Sequence, residues 1–185
     1  MVEDSSILVS QKTVYKNKLD SALCKQAFNF VFEIKDRFKE KSWNCDIKTS
    51  LNTTDNILNV SELHPLKLNI LSHIENYMRQ NKLFFDGFIH SSWINIYEKN
   101  FYQEFHVHTN DIDNCFSGVV YLTNENSKIQ FSVNERISII PEFGDILIFE
   151  DDLPHRVEKN DQELRISLAF NYKKCQKWNG INLKE

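Results

Sequence analysis

Residues 87–123, GFIHSSWINIYEKNFYQEFHVHTNDIDNCFSGVVYLT, decide the fold. Their β-branched and aromatic residues come in short runs, parted by turn-forming residues such as Lys99-Asn100 and Asn110-Asp111. The same texture continues to Tyr172, and it predicts strands at 89–97, 102–108, 116–123, 129–133, 137–140, 145–150, 155–159 and 164–172. Strands this closely spaced leave little room for crossover helices. They predict a mainly β chain, with antiparallel sheets packed face to face or rolled into a barrel.

The chain changes character near residue 85. Upstream, Asp20 and Ser21 are placed to cap a helix that carries Leu23, Ala27, Phe30, Val31, Ile34 and Phe38 at helical spacing. Pro65, at a first-turn position, opens a second helix with Leu66, Leu68, Ile70, Leu71, Ile74 and Tyr77. Residues 49–62 are rich in Asn, Thr, Asp and Ser without a period and read as an irregular connection, and a short extended segment is expected around 7–15. With 185 residues and 41% hydrophobic content, the chain can close a core of its own. The expectation is one domain over 1–185: a mostly helical buttress at 1–84, a β core at 85–174 and a tail at 175–185.

Charge and composition narrow the function classes. A formal charge of -4, with both signs mixed along the chain, gives no broad basic surface, so no nucleic-acid partner is expected. No stretch approaches the roughly 20 apolar residues of a membrane helix, and Met1-Val2-Glu3-Asp4-Ser5-Ser6 lacks the basic-then-apolar pattern of a secretory signal. Cys24, Cys45, Cys115 and Cys175 are scattered without a Cys-x-x-Cys pair, which suits reduced thiols in a cytoplasmic setting.

The chemistry gathers around Phe105-His106-Val107-His108. Two histidines one residue apart in a strand face the same way and can share a metal ion if a distant ligand joins them. His155, in Pro154-His155-Arg156, is the candidate third ligand. Alternatively, only one of His106 and His108 binds, paired with a carboxylate from the loop after His108, with Asp111 nearest and Asp113 next.

Read in order, Ser92-Trp93-Ile94-Asn95, His106-Val107-His108, residues 116–122 (FSGVVYL), residues 141–145 (PEFGD), Pro154-His155-Arg156-Val157 and residues 165–171 (RISLAFN) resemble the iron(II)- and 2-oxoglutarate-dependent oxygenases. The resemblance covers roughly the C-terminal half and, more narrowly, is to the small members common in phages and marine bacteria, distant relatives of the prolyl hydroxylases. It implies a double-stranded β-helix, or jelly roll, buttressed by the two helices, with the metal near its open mouth. In the family the near pair is usually His-x-Asp or His-x-Glu, so His108 is a departure. It implies a three-histidine face of His106, His108 and His155, unless Asp111 supplies the carboxylate.

The resemblance also implies a co-substrate site. Arg165 presents a planar fork of donors suited to the distal carboxylate of 2-oxoglutarate, and its spacing of ten residues from His155 suggests a hairpin return. Ser167 shares its strand face and is placed to add a hydrogen bond, while Tyr97, Tyr121 and Asn95 match positions that face the co-substrate. The implied activity uses iron(II), 2-oxoglutarate and O2 to hydroxylate a C–H bond of an amino-acid or peptidyl, including prolyl, substrate, with release of succinate and CO2. An imidazole at position 108 argues against halogenation. A small molecule or a peptide is the implied partner, and the host cytoplasm is the implied location if the chain is phage-encoded. Two alternatives stay open. One is a cupin-type metal-binding dioxygenase or isomerase, which also opens with His-x-His but is expected to show a glutamate soon after; here none follows until Glu125. The other is a non-catalytic jelly-roll binding module.

Overall fold

The computed structural model describes residues 5–9, 12–41, 45–51, 56–108, 114–124, 127–132 and 136–175. Twelve strands among them form two sheets. In chain order the strands are β1 (Ser5–Val9), β2 (Lys12–Lys18), β3 (Lys39–Lys41), β4 (Ile47–Thr49), β5 (Gly87–Glu98), β6 (Gln103–His106), β7 (Asn114–Tyr121), β8 (Ile129–Ser132), β9 (Arg136–Ile139), β10 (Asp145–Glu150), β11 (His155–Val157) and β12 (Leu164–Lys174). The large sheet runs β1-β2-β10-β7-β12-β5-β4-β3 and the small sheet β6-β11-β8-β9, with every strand pairing antiparallel. Apart from the β8–β9 pair, which lies wholly in the small sheet, successive strands of the C-terminal half alternate between the sheets, and the result is a double-stranded β-helix.

Two helices cover one face of the large sheet, as the sequence predicts. In α1 (Ser21–Ile34), the Asp20 carboxylate accepts from the backbone N–H groups of Ala22 and Leu23, which closes the first turn. α2 (His64–Gln80) starts with Pro65 in its first turn, where no N–H is needed, and buries Leu66, Ile70, Ile74 and Tyr77. Leu68, expected on that face, is instead 56% exposed, because the buried stripe follows the 66-70-74-77 rows. Strand alternation divides the sheet residues cleanly. Ile166, Leu168 and Phe170 of β12 join the helix-side core with Ile94, Ile96, Phe116 and Val120, whereas Ala169, Val119, Tyr121, Leu147 and Phe149 form a second core facing the small sheet. Gly118 is required where β7 meets β12, since a Cβ there would lie 2.2 Å from the Phe170 ring and 2.8 Å from the Leu147 carbonyl.

The first 84 residues are less helical than expected. β2 pairs with β10 and β4 with β5, so the N-terminal part widens the large sheet as well as buttressing it. The segment read as an irregular connection begins in β4 and holds two 3-10 turns, Ile57–Asn59 and Ser61–Leu63, whose Leu58 and Leu63 are fully buried. Several C-terminal strands are shorter than predicted. In particular β6 ends at His106, and His108 lies beyond it, its N–H donating to the Asp151 carbonyl at 2.8 Å. The hairpin expected between His155 and Arg165 does not form: β11 belongs to the small sheet and β12 to the large one, so the connection crosses between walls.

Candidate functional site

Between the two sheets lies a cavity of about 510 Å³. Every described residue singled out from the sequence for the site lines it: His106, His108, His155, Asn95, Tyr97, Tyr121, Arg165 and Ser167. Asp111 and Asp113, the alternative carboxylates, lie outside the described residues.

The three histidines converge. His106 and His155 face each other across the β6–β11 pairing, and one ring nitrogen from each of the three histidines falls within 4.8 Å of the others. Ring centroids are 4.2 Å apart for His106 and His155, 5.0 Å for His108 and His155, and 5.3 Å for His106 and His108. The opposite side of each ring is held by a hydrogen bond. His106 Nδ1 donates to the Glu104 carbonyl and His155 Nδ1 to the Leu153 carbonyl, both at 2.9 Å. A carbonyl only accepts, so each Nδ1 carries the proton and each Nε2 keeps its lone pair. His108 Nδ1 lies 2.8 Å from Ser117 Oγ and 2.9 Å from Asn171 Oδ1, both on the large sheet.

Burial keeps these rings neutral. Desolvation holds His106 below the ordinary imidazole value, and it pushes His108 down to about 4 with help from the neighbouring His106. His155 is driven well below 6.5 by desolvation and then by the other two histidines. Phe149 packs on the His155 ring at 4.7 Å and Trp93 near the His108 ring at 5.8 Å, which supplies the apolar surround. Three neutral imidazoles that each bring a ring nitrogen within 4.8 Å of the others are a donor set that fits a divalent transition metal, iron(II) included.

The other end of the cavity is cationic and deep. Arg165 is only 1% exposed, and its guanidinium lies 5.2 Å from the Tyr97 ring centroid and 5.6 Å from that of Tyr121. Its Nη1 donates to the Ser127 carbonyl at 3.4 Å. Register explains the grouping: Arg165 pairs with Tyr97, while Ser167 lies between Asn95 on β5 and Tyr121 on β7. These five residues share one face of three adjacent strands. Asn95 is tied back through Oδ1, which accepts from Thr49 Oγ1 at 3.0 Å, and Tyr97 donates its hydroxyl to Gln103 Oε1 at 2.9 Å. Sequence reasoning assigned no role to Ser117, Asn171 or Trp93 beside His108, although each stands within the stretches that carry the resemblance.

No family model matches the chain, and no curated protein matches it by sequence. Solved structures do match it by shape. A prolyl-4-hydroxylase from Pseudomonas putida superposes with a TM-score of 0.68 at 12% identity, over 88% of this chain and 93% of that one. A prolyl hydroxylase from Trichoplax adhaerens, solved with a hypoxia-inducible-factor peptide fragment, gives 0.66 at 14% identity over 87% and 82%. The viral collagen prolyl hydroxylase of Paramecium bursaria Chlorella virus-1, solved as a 2OG complex, gives 0.65 at 13% identity over 88% and 96%. By fold, the chain is a double-stranded β-helix of the kind found in the 2OG-Fe(II) oxygenases.

Proposed function

We propose that this chain is an iron(II)- and 2-oxoglutarate-dependent dioxygenase in which 1–185 act as one domain, with His106, His108 and His155 holding the metal and Arg165 the keto acid. The observation that carries this reading is the pairing, within one cavity, of three converging neutral imidazoles with a buried guanidinium. Iron(II), when bound, supplies the redox chemistry that couples O2 to decarboxylation of the keto acid, giving succinate and CO2. The chain's own residues bind, orient and exclude water. Arg165 offers a bidentate, charge-assisted contact to the distal carboxylate, strengthened by its removal from solvent, and Ser167 adds a hydroxyl on the same strand face. Tyr97 and Tyr121 flank the guanidinium, while Trp93 and Phe149 keep the metal end apolar.

The substrate reading is an amino-acid or peptidyl residue, with proline as the leading case because the neighbours by fold include prolyl hydroxylases. A cytoplasmic enzyme is the matching setting. Among the described residues no helix is long and apolar enough to cross a membrane. Succinate formation measured with iron(II), 2-oxoglutarate and O2 against a panel of peptides and free amino acids tests the proposal. Succinate release that needs both iron(II) and His155 supports it; none with any panel member, or equal release from His155→Ala, overturns it.

A further inference from the structure

We infer that Asn171 and Ser117 are positioning residues for the metal site: together they fix the tautomer and aim of His108, the ligand that replaces the expected carboxylate. The inference rests on the three-histidine reading above and extends it to residues with no assigned role.

The geometry is a closed triangle. His108 Nδ1 approaches Ser117 Oγ at 2.8 Å and Asn171 Oδ1 at 2.9 Å, and Ser117 Oγ donates to the same Asn171 oxygen at 2.8 Å. Asn171 Nδ2 in turn donates to Ser91 Oγ at 3.3 Å, which turns its oxygen toward the histidine. With the serine proton already directed to Asn171, an unprotonated Nδ1 would set its lone pair against an amide oxygen. The arrangement therefore selects the Nδ1–H tautomer and leaves Nε2 for the metal. His106 and His155 obtain the same result from backbone carbonyls close in sequence. His108 lies past the end of its strand and takes its partners from the opposite sheet, where Ser117 and Asn171 are register partners on β7 and β12. Ser117 is fully buried, so the contact is made away from competing water. Partners of this kind typically change metal affinity by about 10- to 100-fold when removed.

Anaerobic iron(II) and cobalt(II) titrations of the full chain, without keto acid, test the assignment, alongside melting of the metal-free protein. Asn171→Leu, which keeps the bulk and removes the acceptor, is expected to weaken metal binding about tenfold or more. Asn171→Asp, a stronger acceptor for the same N–H, is expected to hold or tighten it and to shift the visible cobalt(II) spectrum. Ser117→Ala is the milder companion variant, expected to weaken binding several fold. A merely structural role would lower the melting temperature in Asn171→Leu without separating it from Asn171→Asp in metal affinity. Equal affinities in those two variants, with His108→Ala still losing metal, would overturn the inference and leave the three-histidine site standing. Unchanged binding in His108→Ala would overturn both.

Discussion

The two walls of the cavity are built on different terms. The large sheet is buried on both faces around β12, with Ile166, Leu168 and Phe170 against the helix-side core and Arg165, Ser167 and Ala169 toward the cavity. The small sheet has only its inner face covered: β8 alternates buried and half-buried residues, and β6 has no fully buried residue. Packing density can hold Arg165 on the thick wall. Histidines on the thin wall need hydrogen-bonded latches: the Glu104 and Leu153 carbonyls serve His106 and His155, and a reach across the cavity to Ser117 and Asn171 serves His108. Polar contacts serve both walls, through the Ser127 carbonyl for Arg165 and through these latches for the histidines, while the large sheet adds packing on both of its faces.

This contrast can be broken at several strengths. The largest effect is expected from Arg165→Ala, which removes the cation of the thick wall and should cost about 2–5 kcal/mol in 2-oxoglutarate binding while iron(II) affinity stays nearly level. Calorimetric titration of each ligand separates the two. Next, Gly118→Val forces carbon into the Phe170 ring and the Leu147 carbonyl, and should lower stability in urea by about 1–3 kcal/mol, or more if the sheet cannot give. A gentler probe is pH, acting on the thin wall. The histidines are depressed below 6.5 in the folded chain, so the unfolded chain binds more protons as pH falls. The histidines' contribution to the stability of the metal-free protein is therefore fully present above about pH 6.5 and is lost progressively as pH drops toward the His108 value of about 4. Melting temperatures across that window should fall less in His108→Asn than in the parent chain. Smallest of all, Asp20→Ala removes the cap of α1, remote from both walls, and should cost about 1 kcal/mol by urea denaturation with ligand affinities unchanged.

Legibility in the sequence followed the same division. The strands after residue 87 were readable because turn residues break their β-branched and aromatic runs, and α1 and α2 were readable from capping and period. β2 was not clear, since Val14 and Tyr15 are both fully buried, one toward each core, which erases alternation. β4 is three residues long and offers no period. The histidines and Arg165 stood out by residue type, and all four line one cavity, although the link between β11 and β12 passes from one sheet to the other. Ser117 and Asn171 were illegible as partners of His108. They are separated from it by 9 and 63 residues, and only the pairing of β7 with β12 brings them to one point.

In the proposed function, a metal held by the thin wall and Arg165 of the thick wall act on one bound keto acid. Anaerobic titration of 2-oxoglutarate into the full chain, with and without iron(II), tests it most directly when repeated on His155→Ala and Arg165→Ala. One equivalent is expected to bind tightly only when metal is present, with binding weakened in both variants. Affinity that is indifferent to iron(II) and equal in all three proteins would contradict it.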